Sequence, residues 1–309
     1  MRIVFFGTPD FSVPSLQALH KSRHQVKGVV TQPDRPKGRG LKPGISPVKQ
    51  AAVKYELPLL QPEDLMAGHF QQELAKWQGE LFVVVGYSIL PPEVFEMPEK
   101  GTINLHASLL PKYRGAAPIQ WSIMNGDKET GVTTFYIEKK VDTGNWLLQA
   151  RTDIHDDDTA GTLHDRLADM GAKLLVETVN QIEQGSIEAK IQQGTVTSAP
   201  KIQPQHCIIN WMWPAQKIVN QIRALSPLPG AYTFYKNKRI KIYGSSVLEN
   251  EKQASFQQGE VVSTADARII VQTGRHHLQI QELQAEGKKR MSAKEFLRGH
   301  TIPEGTILG

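Results

Sequence analysis

RIVFFGTPDFSVPSLQALHKSRHQVKGVV, residues 2–30, decides the fold. RIVFF is an unbroken apolar run closed by Gly7. Such a run reads as a strand buried on both faces, the kind a parallel sheet contains. In the segment that follows, Ser12 is an expected helix N-cap, and Pro14 is tolerated only in a first turn. Leu16, Ala18 and Leu19 then suggest a helix to about Ser22. VKGVV at 26–30 is a second buried strand. Strand, helix and strand of these lengths form a right-handed βαβ unit, so the fold class is α/β with a Rossmann-like N-terminal domain. No GxGxxG follows the first strand, and Gly38, Gly40 and Gly44 have the wrong spacing. Dinucleotide binding is therefore disfavoured.

Outward from this unit, residues 31–49 carry four prolines and three glycines. They are expected to form no regular structure, and a loop this long in a compact domain is usually functional. Arg35, Lys37, Arg39 and Lys42 would project from it. VKQAAVKYEL then reads as a helix, LPLLQ as a short strand, 64–77 as a helix and ELFVVVGYS at 80–88 as another buried strand.

The candidate chemistry lies in GTINLHASLLPKYRGAAPIQWSIMNGDKETGVTTFYIEKKVDTGNW, residues 101–146. Asn104 and His106 are two apart in TINLH. In an extended strand they point to the same side. Asp142 lies in VDTG, just past the apolar run VTTFYI. If the two runs pair in one sheet, Asp142 is expected to meet His106 across their ends. An Asn amide can donate to a developing oxyanion. A His can exchange protons near neutral pH, and the Asp can orient the imidazole or take up a proton through water. Such a set suits acyl transfer to an amine without a serine or cysteine nucleophile. Asn and Asp beside Gly or Thr also form ordinary turns, so the pattern needs its fold context. The loop SLLPKYRG, with Pro111 holding Leu110 extended, is expected to offer apolar side chains and free backbone amides to a flat ligand.

Residues 115–126 continue as a helix, and VTTFYIE and WLLQARTDI as two strands. DDDTAGTLHDRLADMGAKLLVETVNQIEQG is a long amphipathic helix. Thr159 is its N-cap, Gly185 its stop, and Leu163, Leu167, Leu174 and Val179 its core positions. The expected division is an N-terminal domain over 1–189, a polar linker over 190–206 and a C-terminal domain over 207–309. In the latter, a helix at 214–225 precedes five strands, at 231–236, 239–248, 258–263, 268–273 and 277–284, and MSAKEFLRG closes it as a helix. Short strands at short intervals indicate a small antiparallel β domain.

The composition fits this reading. Of 309 residues, 39% are hydrophobic and 22% charged, ordinary for a globular protein. No apolar run approaches the roughly 20 residues of a membrane span, and MRIVFFGTPDF lacks signal-peptide character. One cysteine, Cys207, excludes an intramolecular disulfide framework and fits a cytoplasmic location. No Cys/His spacing calls for a metal. The net charge of +5 permits a polyanionic partner. Two basic clusters, RPKGRGLK at 35–42 and GKKR at 287–290 (Lys288, Lys289, Arg290), point to a nucleic-acid face.

NxHxSLLPxxRG with a downstream VDTG resembles the 10-formyltetrahydrofolate-dependent formyltransferases. GTPDFSVPSL, TQPDRPKGRG, RGAAPIQWSI and GKKRMSAKEFLRG extend the resemblance from Arg2 to about Leu297. It implies an OB-like barrel for the C-terminal domain, and Asn104, His106 and Asp142 as catalytic residues. Val85, Gly86, Tyr87, Ile89 and Leu90 with Ser108, Leu109, Leu110 and Pro111 would hold 10-formyltetrahydrofolate. VVVGYSILP is one residue shorter than the family's usual VVVAYGxILP. The resemblance further implies transfer of the formyl group to the α-amino group of methionine on initiator Met-tRNA, by a monomer that meets no membrane. The 35–42 loop would reach the acceptor end, with Arg39 at the matching position. A small acceptor, such as a phosphoribosyl or nucleotide-sugar amine, is the alternative. The 31–49 loop and the β domain argue against it, because a small amine needs neither. A non-catalytic RNA-binding protein is a third reading, which the Asn–His–Asp set disfavours.

Overall fold

The computed structural model describes residues 1–37, 42–250 and 256–309. The chain forms two compact units. The first holds Met1–Pro118, Glu129–Thr152 and His164–Ala199, and the second holds Ile119–Lys128, Asp153–Leu163 and Pro200–Gly309.

Up to residue 184 the elements are β1 (Arg2–Gly7), α1 (Val13–Lys21), β2 (Gln25–Val30), β3 (Arg35–Lys37), β4 (Lys42–Gly44), α2 (Pro47–Lys54), β5 (Leu59–Leu60), α3 (Gly68–Lys76), β6 (Leu81–Val85), α4 (Pro92–Phe95), β7 (Thr102–His106), α5 (Pro118–Met124), β8 (Glu129–Tyr136), β9 (Trp146–Asp153) and α6 (Ala160–Gln184). The first unit is built on a seven-stranded sheet in the order β5-β2-β1-β6-β7-β8-β9. The strands from β5 to β7 are parallel, and β8 runs antiparallel to β7. The central strands are buried along their length, as their unbroken apolar sequences require.

The chain leaves β1 toward β2 and β5 on one side, then returns to β6 on the other. The strand order therefore reverses between β1 and β6, where Gly7 pairs with Val85. In open α/β sheets, ligands bind outside the carboxyl ends of strands at such a reversal. Here the corner is tightly built. Ser12, expected as a side-chain cap for α1, instead donates its hydroxyl to the Val85 carbonyl at 2.6 Å. β6 stops at Val85, short of the expected Ser88, because Gly86 turns with φ +58 and sits where a Cβ would come within 2.6 Å of the Pro9 ring.

Two other expectations change. The Pro/Gly-rich 31–49 stretch is not without regular structure, because β3 and β4 pair as a short antiparallel hairpin. Ser46 then caps α2, accepting from Lys49 N at 3.0 Å, with Pro47 in the first turn. On α6, Thr159 caps the start and Gly185 ends it at φ +66. Leu163, Leu167 and Val179 are fully buried, but Leu175 takes the core place expected of Leu174. A Cβ on Gly171 would come within 2.7 Å of Leu105, so α6 lies close on β7.

In the second unit follow α7 (Ala215–Ala224), β10 (Ala231–Tyr235), β11 (Lys238–Leu248), β12 (Val261–Ser263), β13 (Ile269–Gln272), β14 (His277–Ala285), β15 (Met291–Ser292) and α8 (Ala293–Gly299). They form a curled antiparallel sheet, a half-barrel of OB-like kind, ordered β10-β11-β14-β13-β12 with β15 on β14. Its core joins Ile218 and Ile222 of α7 to Ile240, Ile242, Val271, Leu278, Ile280 and Leu283. Cys207 belongs to this core, and burial raises its thiol pKa. A capping box between Ser292 and Glu295 opens α8. Among the described residues no helix is long and apolar enough to cross a membrane.

Ser12→Ala leaves the buried Val85 carbonyl without its donor. It should cost about 1–3 kcal/mol of stability, read as a lowered urea midpoint in equilibrium unfolding. An unchanged midpoint would show that the corner does not depend on this bond.

Candidate active site

β7 lies between β6 and β8, with Asn104 opposite Val84 on one side and Phe135 on the other. Asn104 and His106 share one face of it. His106 is 6% exposed, and its Nε2 lies 2.8 Å from the Tyr113 carbonyl. A carbonyl only accepts, so the proton sits on Nε2, and the neutral ring keeps Nδ1 open. Nδ1 is 3.8 Å from Asp142 Oδ2. That is too long for a hydrogen bond, so the two groups face each other without one. Asp142 Oδ2 also accepts from Gly115 N at 2.8 Å.

Asp142 does not meet His106 across strand ends, as expected from the sequence. β8 is antiparallel to β7 and leaves it at the Thr102 end, where Ile137 N donates to the Thr102 carbonyl. The loop 137–145 must return along the sheet to bring Asp142 to His106. Asp142 has φ +55, a region that Asp tolerates better than most residues. Gly144 is required, because a Cβ there would fall 1.7 Å from the Tyr136 carbonyl oxygen.

Asn104 Oδ1 is buried, and no donor among the described residues reaches it. A buried acceptor left unpaired is costly, and at a cluster of polar groups it marks a place where a ligand completes the bonding.

The Ser108–Pro111 loop differs from its expectation. Its backbone is largely engaged within the protein. Ser108 O accepts from Thr133 Oγ1 at 2.7 Å, Leu110 N donates to Thr133 Oγ1 at 3.2 Å, and Leu110 O accepts from Gln149 at 2.9 Å. The Ser108 hydroxyl is spent on the Lys112 carbonyl at 2.6 Å. Ser108, Leu110 and Pro111 are buried, and Leu109 is half-buried. Their role is a fixed floor rather than a row of free amides. The Val85–Leu90 turn stands at the carboxyl end of β6, beside the end of β7. Gly86 is exposed, Ile89 is 73% exposed, and Val85 and Leu90 are buried. Tyr87 packs edge-on against Phe6, and burial pushes its hydroxyl up to about 12, so it stays a neutral donor.

Of the basic residues, Arg35 is exposed, and the backbone of Lys37 is paired with that of Lys42 in the hairpin register. Arg39 lies outside the described residues. Lys288 and Lys289 are exposed in the turn between β14 and β15. Arg290 differs from them: it holds Glu282 through two hydrogen bonds and lies 4.5 Å over the Tyr243 ring, so its charge is already partnered.

Of the three residues that hold the His–Asp pair, the sequence marked Gly115 only as allowing a close turn and did not mark Tyr113 or Gln192. Tyr113 and Gly115 lie inside the quoted SLLPKYRG motif, so that signal was present. Gln192, in a polar stretch, carries none.

The chain matches the Formyl transferase family over residues 1–179, and the Formyl transferase C-terminal domain over residues 201–301. The chain belongs to the formyl transferase family. Among relatives, this formyl transferase is 47% identical over 310 residues to the methionyl-tRNA formyltransferase of Pelotomaculum thermopropionicum, covering 100% of this chain and 99% of that one. It is 48% identical over 311 residues to that of Caldanaerobacter subterraneus subsp. tengcongensis, covering 100% of both. Its fold is shared by WlaRD, a sugar 3N-formyl transferase solved in the presence of dTDP and 5-N-formyl-THF. The TM-score is 0.67 at 21% identity, over 94% of this chain and 99% of that one. Family membership makes the formyl transferase an enzyme that uses a folate-derived formyl donor.

Gly115 has φ +124, and a Cβ there would come within 2.7 Å of the Ala199 carbonyl oxygen. Gly115→Ala should therefore cost at least about 1 kcal/mol and displace the N–H that holds Asp142. Thermal unfolding and turnover should fall together, and a variant with wild-type values of both would contradict this geometry.

Proposed function

We propose that the protein transfers the formyl group of 10-formyltetrahydrofolate to the α-amino group of methionine on initiator Met-tRNA. The observation that carries the chemistry is the buried, unpartnered Asn104 Oδ1, on the same strand face as His106 and beside the His106–Asp142 pair. The acceptor amine attacks the formyl carbon directly, forming a tetrahedral centre with a negative oxygen. The Asn104 amide N–H donates to that oxygen, and its Oδ1 accepts an N–H of the amine. One such oxyanion donor is worth about 3 kcal/mol of barrier. His106 takes the amine proton at Nδ1, because Nε2 is committed to Tyr113. The Asp142 carboxylate then faces the imidazolium. The same proton passes to the departing folate nitrogen as the centre collapses.

The floor Ser108–Pro111 and the turn Val85–Leu90 are read as the folate site, at the carboxyl ends of neighbouring strands. Full-length similarity to methionyl-tRNA formyltransferases supports charged tRNA as acceptor, because it spans the second unit as well as the first. Arg35, Lys37, Arg39 and Lys42, with Lys288 and Lys289, are the residues read as facing tRNA. Arg290 joins them only if it leaves Glu282. The working form is read as a cytoplasmic monomer.

Asn104→Ala, His106→Ala and Asp142→Ala should each lower kcat by about 100-fold or more while leaving the fold intact. Near-normal turnover in folded Asn104→Ala or Asp142→Ala would remove that residue from the chemistry. Arg39→Ala should raise the KM for charged tRNA while leaving folate binding unchanged. Its binding should also be less salt-dependent, by roughly 0.7–0.9 in log–log slope per lost phosphate contact. If formylation instead proceeds as well on a small sugar amine as on Met-tRNA, the tRNA reading gives way to the small-acceptor one.

A further inference from the structure

The segment from Lys190 to Ala199 reads in sequence as a polar connector, yet it is bonded to both loops that hold the His–Asp pair. Lys190 exchanges backbone hydrogen bonds with Trp146 at 2.8 and 2.9 Å. Further along, Arg114 N donates to the Thr197 carbonyl at 2.9 Å, and Ala199 N to the Arg114 carbonyl at 2.7 Å. Two side chains between these anchors reach the site. Thr197 Oγ1 accepts from Tyr113 N at 2.8 Å, and the carbonyl of Tyr113 is the acceptor of His106 Nε2. Gln192 Nε2 donates to the carbonyls of Asp142 and Gly144, at 2.9 and 2.8 Å. Gln192 Oε1 accepts from Arg114 Nε and Nη2, at 3.2 and 2.7 Å.

We infer that residues 190–199 act as a strap that sets the His106–Asp142 separation, with Gln192 the positioning residue for Asp142 and Thr197 that for His106. The inference rests on the transfer reading of that pair. The polarity of the amide supports it. Two carbonyls on one side demand donors, and a guanidinium on the other demands an acceptor. Only a carboxamide meets both, and the orientation of this one is fixed by its partners. Apolar burial does not hold the strap here, since Ile191 is 71% exposed and Gln193 is exposed. The turn it clamps is one that needs holding: Asp142 has φ +55, and Gly144 tolerates no side chain. The bond from Arg114 also accounts for the arginine of the SLLPKYRG motif, which the chemistry itself does not use.

The test is steady-state kinetics on the full-length protein with charged tRNA and the folate donor. Gln192→Ala should lower kcat by about 10- to 100-fold, the scale of a small misplacement, with both KM values within about twofold of wild type. Gln192→Glu should lose as much, because a carboxylate offers no donor to the two carbonyls. Placed on Asp142→Ala, Gln192→Ala should lower kcat no further, since it acts through Asp142. Thr197→Val should lower kcat and Thr197→Ser restore it, which keeps the test informative if a Gln192 variant fails to fold. Wild-type kcat in Gln192→Ala, or the same fold-loss with and without Asp142, would overturn the strap. If Asp142→Ala alone kept wild-type turnover, the transfer reading would fail first.

Discussion

The Nε2–H of His106 donates to the Tyr113 carbonyl at 2.8 Å in a buried setting, and much of the site follows from that bond. It decides the tautomer, so Nδ1 is the nitrogen left to take a proton. It directs that nitrogen toward Asp142. It also makes Tyr113 a backbone part of the site, although the tyrosine ring is not needed for the chemistry. Tyr113 itself has φ +59 and is held from the other side by Thr197. The imidazole is therefore oriented by backbone, which moves less than a side-chain partner would.

Around this bond the sheet supplies position and the loops supply groups. β7 places Asn104 and His106 on one face, next to the reversal of strand order between β1 and β6. Ser12 and Pro9 brace the turn at Gly86, and Thr133 and Gln149 brace the Ser108–Pro111 floor. Both loops are held by bonds to residues distant in sequence. A transfer between two substrates needs such fixed walls, because its rate depends on the approach of the two reacting atoms.

Much of this was legible in the chain. Unbroken apolar runs such as RIVFF and LFVVV announced parallel strands, because a strand covered on both faces cannot alternate. Thr159 and Gly185 marked the ends of α6 by their capping chemistry. Other local signals misled. Ser12 looked like a cap, yet the nearby Val85 carbonyl took its hydroxyl. Prolines and glycines in 31–49 suggested no regular structure, yet β3 and β4 pair there. The two basic clusters looked alike, but Glu282 and Tyr243 partner Arg290 and leave Lys288 and Lys289 exposed.

By itself the sequence determined what depends on neighbours along the chain. The period of the strands, the helix ends and the shared face of Asn104 and His106 are properties of residues a few positions apart. The tertiary structure alone decided how Asp142 arrives. It brings the loop 137–145 back along the sheet after β8 has left at the far end of β7. It also decided which polar residues hold the pair, since Gln192 lies 50 positions from Asp142 and Thr197 84 from Tyr113. A hydrogen bond between residues so far apart leaves no pattern in either segment, because its geometry exists only once the sheet has brought them together.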